Sequence, residues 1–355
     1  MVSLISSSEA VDLILSGTHP SVDVRSEGEF GKASVPGMKN APILNDLERH
    51  AVGICYKVEG QQNAIALGHK LVDPQRDARV AEWVDIGSLH PDSPLLVCCW
   101  RGGMRSQFAT EWIEAAGREA VRIEGGYKAI RAELMSEFLK PRSFLILSGR
   151  TGSGKTELLK HIQIREKIDI EDLAAHRGSS FGKMISRCQP SQAMFENAMS
   201  LGLRHHSRPI LLEDESKVIG RLHLPESLFR SMSSSPIVQL EASLADRSET
   251  IYKDYVVEPL QHGINPIGLA DQLAESVLAL SRKLGGALTD KIIKLIRSGF
   301  SRDEQTFVNH KAWIEILLSD YYDRAYDHAS ARNHRKVAFK GNYEECREWI
   351  SSQYV

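Results

Sequence analysis

The feature that most constrains the fold is a glycine-rich loop that directly follows a short apolar segment near the middle of the chain. Residues 143–148 read Ser-Phe-Leu-Ile-Leu-Ser, and Gly149-Arg-Thr-Gly-Ser-Gly-Lys155-Thr156 comes at once after them. The apolar run predicts a strand buried on both faces of a parallel sheet, and the amphipathic segment after the loop predicts a helix. A strand, this loop pattern and a helix in that order predict a P-loop and an α/β domain.

The P-loop pattern assigns roles to its residues. Backbone N–H groups of such a loop surround a diphosphate, the lysine adds charge at the outer phosphate, and the Thr156 hydroxyl can hold Mg²⁺. A nucleotide and a prenyl diphosphate carry the same group, so the motif alone does not predict a kinase. The candidate diphosphate-binding residues are Gly149, Arg150, Thr151, Gly152, Ser153, Gly154, Lys155 and Thr156.

An acidic turn is the expected partner of the P-loop. The apolar run Pro209 to Leu212 predicts a strand and ends in Glu213-Asp214-Glu215. We expect Asp214 to complete a magnesium site with Thr156, and the two neighbouring glutamates are alternatives. A merely solvent-exposed acidic turn would give the same residues.

A cysteine at the end of another predicted strand marks a second candidate site. Pro94 to Cys98 is almost wholly apolar, and Cys99-Trp-Arg-Gly-Gly-Met-Arg105 separates it from a helical pattern. Glycines allow the positive φ angles of an anion-binding loop, and a helix N-terminus with nearby arginine favours a thiolate. Cys99 is therefore a candidate nucleophile, although an isolated cysteine is more commonly a small buried hydrophobic residue. The candidate anion-binding residues are Trp100, Arg101, Gly102, Gly103, Met104 and Arg105.

The other cysteines are expected to be structural, although Cys55 could approach Cys99 and act as a resolving thiol. The five cysteines are scattered, and no pair has the spacing of a zinc site, so reduced thiols are predicted. Cys98 precedes Cys99 within the predicted strand, where alternate side chains point to opposite faces. We expect it to lie across the sheet from the Cys99 loop.

The length of 355 residues predicts two or three domains. Pro141 breaks a helical pattern and the periodicity is helical from about Ala242, so we expect domains at 1–140 and 141–241 and a helical C-terminal extension at 242–355. No secretory signal or apolar stretch of membrane-spanning length is present, which predicts a cytoplasmic protein without a membrane partner. With a net charge of -2, any nucleic-acid surface must be a local basic patch.

The first 131 residues resemble a rhodanese domain. Asp23-Val-Arg25 with Glu29-Phe30, Val35-Pro-Gly37, Asn40-Ala-Pro42, the Cys99 loop and Gly125-Gly126 occur in that family's order. The resemblance implies a parallel-sheet domain that carries sulfur or selenium on Cys99. Related phosphatases hold phosphate in a Cys-x5-Arg loop of the same length, and the loop alone does not separate these two chemistries.

Further stretches are similar to tRNA 2-selenouridine synthases, in which a rhodanese domain is fused to a P-loop domain. They cover most of the first 225 residues, and the helical tail matches only loosely. The stretches are Val52 to Lys57 with Ala64 to Leu71, Asp169 to Glu171, His176 to Gly182, Gln189 to Gln192 with Phe195 to Asn197, and Glu213 to Ser216 with Ile219-Gly220.

This resemblance implies a two-step reaction on 2-thiouridine at the wobble position of tRNA. Geranyl diphosphate alkylates the sulfur, and selenophosphate then replaces the S-geranyl group with selenium. The phosphate cradle suggests that the P-loop takes geranyl diphosphate. Cys99 would serve the selenium step, either as a covalent carrier or by positioning selenophosphate. No firmly bound cofactor is expected, and Mg²⁺ is a candidate at the P-loop.

Several residues are candidates for contacts with the tRNA substrate. His176, Arg177 and Ser179 could contact phosphate or uridine, and a helix cap with a solvated turn explains them equally well. Three tyrosines, Tyr321, Tyr322 and Tyr326, could stack on bases, although packing is the commoner role. The candidate basic groups are Lys128 and Arg131, Arg204 to Arg208, and Arg332 to Lys336 with Lys340.

Two other functions compete with this one. A sulfurtransferase or Cys-x5-Arg phosphatase fused to a nucleotide-binding domain would act without tRNA. A nucleotide-sensing docking module would need neither Cys99 nor Lys155, so the presence of both argues against it.

Overall fold

The computed structural model describes residues 3–179, 181–182, 187–206, 208–301, 306–332 and 335–354. Their contacts form two compact units, one from 1–140 with 191–201 and one from 141–190 with 202–355. Each unit is built on its own five-stranded sheet in which neighbouring strands run parallel. The expected α/β class, with a helical C-terminal region, is confirmed.

The first unit has the strand order β1-β5-β4-β2-β3. Its central strand, β4, has every residue buried and pairs with β2 on one side and β5 on the other. The strands are β1 (Leu4–Ile5), β2 (Ser21–Asp23), β3 (Lys39–Asn40), β4 (Leu95–Cys98) and β5 (Ala120–Ile123).

Helices cover both faces of this sheet. Two of them form a hairpin that turns at Gly60, where φ is 88° and a glycine is favoured. The helices are α1 (Ser7–Ser16), α2 (Glu27–Lys32), α3 (Asp46–Glu59), α4 (Gln61–Val72), α5 (Arg76–Ser88), α6 (Met104–Ala115) and α7 (Gly126–Ser136), with 3-10 turns at Asp73–Gln75 and Glu137–Leu139.

The two faces of β4 enter different hydrophobic cores. Leu95, Val97 and Cys99 belong to one core, whereas Leu96 and Cys98 belong to the other. Because side chains alternate along a strand, one residue decides which face a thiol occupies. The expectation that Cys98 lies across the sheet from Cys99 is confirmed.

One helix of the first unit comes from the second half of the chain. Most of α10 (Gln192–Leu203) groups with 1–140 rather than with the P-loop region that precedes and follows it. Its Asn197 is fully buried and donates to Ser34 O at 2.7 Å and to Tyr127 Oη at 3.1 Å. Arg131 binds Glu196 and Asn197 of the same helix. The expected boundaries, which placed all of 141–241 in one domain, did not include this helix in the first unit.

The second unit has the strand order β12-β11-β6-β8-β7. β6 lies at its centre and ends at the predicted glycine-rich loop. A two-stranded antiparallel ribbon, β9 with β10, follows β8. The strands are β6 (Phe144–Gly149), β7 (Lys167–Ile168), β8 (Ile210–Glu213), β9 (Val218–Ile219), β10 (Leu222–His223), β11 (Ile237–Leu240) and β12 (Val337–Gly341).

The C-terminal third is helical except for one strand. The helical extension expected at 242–355 also contributes β12, a strand that the sequence pattern did not predict, which pairs in parallel with β11 and completes the sheet. This edge strand is only partly buried, so it lacks the apolar run that reveals β6 or β8. The helices packed around the sheet are α8 (Lys155–His161), α9 (Ile170–Ala174), α11 (Glu226–Ser234) and α19 (Tyr343–Gln353).

The remaining helices of the second unit enclose a separate apolar core. Trp313, Ile314 and Leu317 of α17 pack there against Leu273 of α14 and Ile292 of α16. Two π-helical turns, Lys253–Val257 and Leu318–Tyr322, interrupt the helices around this core. The helices are α12 (Leu244–Tyr252), α13 (Glu258–Gln261), α14 (Pro266–Ala279), α15 (Ser281–Leu284), α16 (Gly286–Phe300), α17 (Phe307–Leu317) and α18 (Asp323–Arg332). No helix in the described ranges is long and apolar enough to cross a membrane.

Candidate functional site

Cys99 lies at the carboxyl end of β4, in the loop that leads to α6. Its side chain is buried, and the Sγ atom lies 3.1 Å from Ser106 Oγ and 4.0 Å from Gly103 O. The loop residues Gly102 to Met104 run between the thiol and the first turn of α6. The structure therefore holds the predicted nucleophile in a short loop ahead of a helix.

The Gly125-Gly126 pair, which follows the neighbouring strand β5, packs against this loop. Backbone N–H groups of Tyr127 and Lys128 donate to Cys99 O at 2.8 Å and Trp100 O at 3.0 Å. A Cβ atom at Gly126 would overlap Cys99 O, and one at Gly102 would lie 2.8 Å from Gly125 N. Glycine is thus required here by close approach as well as by positive φ angles.

The two arginines of the Cys99 loop have different surroundings. Arg105 forms a bidentate ion pair with Glu29, with N–O distances of 2.6 and 3.2 Å. Burial opposes ionisation of Glu29, but the Arg105 guanidinium holds its pKa below the usual value. Arg101 is exposed and bonds to no residue in the described part of the chain. Arg101 is therefore the arginine that is available for an incoming anion.

A buried ion pair underlies the loop from β2. Arg25 binds Asp23 at 2.6 Å, and both side chains are fully buried. The Arg25 guanidinium lies 4.0 Å from the Tyr127 ring centroid, and Tyr127 stacks on Trp100 at 5.6 Å. Only the resemblance to rhodaneses singled out Asp23 and Arg25, since their packing against Tyr127 depends on long-range contacts.

The opposite thiol is poorly suited to nucleophilic chemistry. Cys98 is fully buried, and burial followed by the nearby Asp23 charge raises its pKa well above the ordinary value. A thiol with a raised pKa has little thiolate at neutral pH. All five cysteines are free, as expected for reduced thiols.

The predicted P-loop joins β6 to α8 in the second unit. Gly152 and Gly154 have φ angles of 79° and 88°, which favour glycine. Lys155 Nζ donates to Gly149 O at 2.8 Å and to Arg150 O at 3.4 Å. The eight candidate diphosphate-binding residues, Gly149 to Thr156, are thus brought together in one loop.

Residues of the C-terminal region anchor this loop. Arg247 Nε donates to Thr151 O at 2.8 Å, and its guanidinium forms a bidentate pair with Asp323. Asp323 also binds Arg150 at 3.1 Å, and Asp327 binds Arg150 at 2.7 Å. The sequence did not indicate these supports, because the partners are about a hundred or more positions apart from the loop.

The acidic residues are arranged differently from the expected magnesium site. Asp214 accepts hydrogen bonds from Arg335 at 2.8 and 2.6 Å and from Ser148 at 2.6 Å. The Thr156 hydroxyl instead donates to Glu171 at 3.0 Å. Thr156 and Asp214 thus bind different partners, since Arg335 occupies both oxygens of Asp214, and the magnesium site expected at this pair stays a prediction.

Glu213 differs from these carboxyl groups because its oxygens lack hydrogen bonds to the described residues. It is fully buried, and neither oxygen has a hydrogen-bond partner in the part of the chain that the structure describes. Burial, followed by the negative charges of Glu171 and Asp169, raises its pKa to about 8. Burial likewise raises the pKa of Glu171 and Glu215. No three His, Cys, Asp or Glu side chains within the described ranges form a metal site on their own.

The three predicted substrate residues fall into two groups. Arg177 binds Glu258 and the Asp254 carbonyl, and Ser179 lies 3.0 Å from Tyr255 Oη, so both are tied to the helical region. His176 Nδ1 is buried without a hydrogen-bond partner among the described residues, and burial lowers its pKa. Arg177 and Ser179 line the cavity beside the P-loop, whereas His176 is not part of its wall.

This cavity, of about 1380 Å³, opens directly over the P-loop. Lys155, Thr156 and Asp214 line one part, and the helical region contributes Arg247 and Tyr255. It is large enough for a diphosphate together with a sizeable organic group.

The basic groups proposed for tRNA contacts differ in exposure and in whether they already bind other residues. Lys128 is exposed, while Arg131 and Arg335 are bound to carboxylates in their own units. Lys340 pairs with Glu241, and Arg208 donates to Tyr354 O. Arg204 is buried. Of the remaining positions, Ser207, Asn333 and His334 lie outside the described residues.

The three tyrosines are also occupied within the second unit. The Tyr322 hydroxyl is buried, and Tyr321 accepts a hydrogen bond from Lys283 at 3.3 Å. Tyr326 lies between Ser148 and Arg150, with its hydroxyl 3.4 Å from Ser148 Oγ. These contacts favour packing over base stacking.

The fold and the two loops define a class of protein. A rhodanese-like unit with a cysteine-containing loop is joined to a P-loop unit with a helical C-terminal region. Known families agree with this division. A rhodanese-like domain model matches residues 6–133, and a model described as the tRNA 2-selenouridine synthase AAA domain matches residues 142–355. The chain belongs to the tRNA 2-selenouridine synthase family.

Full-length relatives carry the same name. A tRNA 2-selenouridine synthase from Marinobacter nauticus is 39% identical over 351 residues, covering 94% of each chain. One from Shewanella sediminis is 39% identical over 96% of this chain and 95% of its own, and one from Sulfurovum sp. NBC37-1 is 38% identical over 99% of each. A solved N-terminal domain from Clostridium difficile 630 is 31% identical and covers 37% of this chain and 97% of its own, with a TM-score of 0.34.

Proposed function

We propose that this protein is a transferase that converts wobble 2-thiouridine of tRNA into 2-selenouridine through an S-geranyl intermediate. The observation that carries the proposal is the presence of two separate strand–loop–helix turns, one with Cys99 and one with Lys155, on a chain of this family. One loop suits a diphosphate leaving group and the other suits a selenium donor. The reaction would take place on tRNA in the cytoplasm.

The first step belongs to the P-loop. The sulfur of 2-thiouridine forms a bond to C1 of geranyl diphosphate, the C1–O bond breaks, and diphosphate leaves with the electron pair. N3 of the base loses its proton to water, so the alkylated base is neutral. Negative charge grows on the departing oxygen, which Lys155 and the loop N–H groups stabilise. Lys155 Nζ already lies within the loop, 2.8 Å from Gly149 O, so a small side-chain rotation brings it to the phosphates.

The buried carboxylate of Glu213 suits a magnesium ion at this site. A buried carboxylate without a hydrogen-bond partner among the described residues is costly unless it faces a cation. The Thr156 hydroxyl with Glu213 and Glu171 would hold Mg²⁺, whereas Asp214 is bound by Arg335. Bound Mg²⁺ would neutralise charge on the diphosphate.

The second step belongs to the Cys99 loop. Selenium from selenophosphate bonds to C2 of the uridine, geranylthiol leaves, and water cleaves the Se–P bond to release phosphate. Alkylation makes the sulfur a better leaving group, which is why geranylation comes first. Arg101 would bind the phosphate group of selenophosphate, and Cys99 would position this donor for attack on C2.

The phosphatase alternative has less support from the site. A Cys-x5-Arg phosphatase uses its arginine to hold the phosphate, but here Arg105 is engaged by Glu29 through two hydrogen bonds. The ion pair fixes the loop rather than leaving a guanidinium free for substrate.

Mass spectrometry of nucleosides tests the proposed function. A tRNA that carries 2-thiouridine is incubated with the enzyme, geranyl diphosphate, Mg²⁺ and selenophosphate. We expect S-geranyl-2-thiouridine without selenophosphate and 2-selenouridine with it. Lys155→Ala should lose geranylation by about 10²-fold or more but still convert tRNA that already carries S-geranyl groups. Unchanged 2-thiouridine with the wild type would contradict the proposal.

A further inference from the structure

A small apolar cavity lies behind the P-loop, inside the helical part of the second unit. Phe181, Leu273, Trp313 and Leu317 form its inner wall, and its volume is about 20 Å³. Tyr255 and Tyr322 line both this cavity and the large cavity over the P-loop, as do Thr151, Ser179 and Ile251. The two cavities therefore share these five residues, which together are called the rim.

The rim touches the phosphate loop itself. A Cβ atom at Gly152 would lie 3.1 Å from Ile251 Cγ1, so this side chain packs directly against the loop backbone. Thr151, the preceding loop residue, lines both cavities. An organic group attached to a diphosphate in the loop would therefore start beside apolar side chains.

We propose that this apolar cavity and its rim bind the prenyl chain of the diphosphate substrate and set the chain length that the enzyme accepts. The inference rests on the proposed function and deepens it, because it assigns the specificity of the geranylation step to residues of the helical region. The P-loop would bind the diphosphate, and α12, α14 and α17 would enclose the hydrocarbon.

The polar groups around the cavity favour a hydrocarbon over a nucleoside. Ser179 and Tyr255 share a hydrogen bond of 3.0 Å, and Trp313 Nε1 donates to His310 Nδ1 at 3.2 Å. These groups are satisfied by each other, the Tyr322 hydroxyl has no hydrogen-bond partner among the described residues, and the rest of the wall is mainly apolar. A ribose and base would need several free donors and acceptors, whereas a prenyl chain needs none.

The cavity must widen when a chain enters. A volume of about 20 Å³ holds little more than one water molecule, so a ten-carbon chain needs displaced side chains. Ile251, Tyr255 and Tyr322 are only partly buried and can rotate toward the large cavity. Leu317 at the inner wall is 4% exposed and belongs to the packed core. The inner wall therefore limits how long a chain can be.

Two substitutions change the cavity in opposite directions. Ile251→Phe fills the rim from a partly buried position, and Leu317→Ala removes side-chain volume from the inner wall. Ile164→Phe is the matched control for the first change, since Ile164 is a partly buried residue of the same unit that packs against a different core. Leu317→Val, which removes less volume, replaces Leu317→Ala if the smaller residue prevents folding.

The experiment measures kcat/KM for dimethylallyl, geranyl and farnesyl diphosphate with 2-thiouridine tRNA, together with the affinity for each diphosphate and for ATP. Ile251→Phe should lower the geranyl to dimethylallyl ratio at least tenfold, and Leu317→Ala should raise the farnesyl to geranyl ratio about tenfold, because one methylene in a pocket changes discrimination by about 10- to 200-fold. Thermal unfolding confirms that each variant is folded, and Ile164→Phe should retain the wild-type ratios.

The possible failures are distinct. If the wild type geranylates tRNA but the ratios of the folded Ile251 and Leu317 variants stay within twofold of it, the cavity does not bind the chain and the proposed function stands. A tenfold loss of ATP affinity in Ile251→Phe with prenyl discrimination intact would instead assign the rim to a nucleoside. If the wild type binds no prenyl diphosphate and alkylates no tRNA, the proposed function itself fails.

Discussion

Arg335 binds both carboxylate oxygens of Asp214, with N–O distances of 2.8 and 2.6 Å. The acidic residue that the sequence pattern assigns to magnesium is therefore neutralised by a cation from the C-terminal region. The carboxylates left to face Thr156 are Glu171, which accepts its hydroxyl, and the buried Glu213.

Magnesium dependence should therefore follow Glu213 rather than Asp214. We expect Glu213→Gln to raise the Mg²⁺ concentration for half-maximal geranylation at least tenfold, because it removes a charge beside Thr156. Asp214→Asn, the matched change at the next residue, should shift this Mg²⁺ concentration by less than threefold. Titration of Mg²⁺ against S-geranyl formation measures both values, and the reverse ranking would restore Asp214 as the metal ligand.

The stability of the protein without metal should fall as pH rises. The pKa of Glu213 is raised to about 8 in the folded protein, against about 4.3 for a free glutamate. The protonated form is thus favoured by folding, so its stabilisation is complete below about pH 4 and is lost as pH rises toward 8. Each pH unit in that window costs up to about 1.4 kcal/mol.

Glu213→Gln should remove much of this dependence. Thermal unfolding between about pH 5.5 and 8.5 in EDTA is expected to show a falling melting temperature for the wild type and a flatter curve for the variant. Glu226→Gln is a control, because Glu226 is an exposed residue at the start of α11 whose pKa is lowered by Lys217. Parallel curves for the wild type and Glu213→Gln would show that this carboxyl group is ionised in the folded protein.

The two adjacent cysteines should differ in function. Cys99→Ala is expected to accumulate S-geranyl-2-thiouridine and to lose 2-selenouridine formation by about 10³-fold, since it removes the thiol from the loop. Cys98→Ala should retain selenation within about fivefold, because its side chain enters the opposite core. Nucleoside mass spectrometry separates the two products. Equal losses in both variants would argue for a shared structural role.

The Gly125-Gly126 pair should be sensitive to one methyl group. Gly126→Ala places a Cβ atom onto Cys99 O, so the Cys99 loop must shift and selenation should fall at least tenfold while geranylation persists. Gly117→Ala tests the backbone alone, because Gly117 has a φ angle of 86° but a Cβ atom there would meet nothing within 4 Å among the described residues. Normal selenation by Gly126→Ala would mean that the loop tolerates displacement.

Local patterns in the sequence were sufficient for much of the site. Both loops follow buried strands whose apolar runs are continuous, and both lead into helices, so each could be placed from a short window. The alternation of side chains along β4 also predicted which of Cys98 and Cys99 enters the loop. These features depend on neighbours within a few residues.

Other features depend on partners that are distant in the sequence. Asp214 and Arg335 are 121 positions apart, and no pattern near either residue indicates the other. β12 is a partly exposed edge strand within a helical region, so its composition lacks a continuous apolar run. The small apolar cavity likewise combines Thr151 with residues of α14 and α17, which no local motif connects.

The position of α10 has a consequence for the history of the gene. The coding sequence of the first unit is interrupted, because the helix that buries Asn197 against Ser34 and Tyr127 is encoded about fifty codons beyond Lys140. A fragment that ends at Lys140 would lack part of its own core. Recombination at that boundary cannot exchange one half for a foreign equivalent without also replacing this helix. A foreign domain in place of 1–140 would have to present the same packing surface to α10.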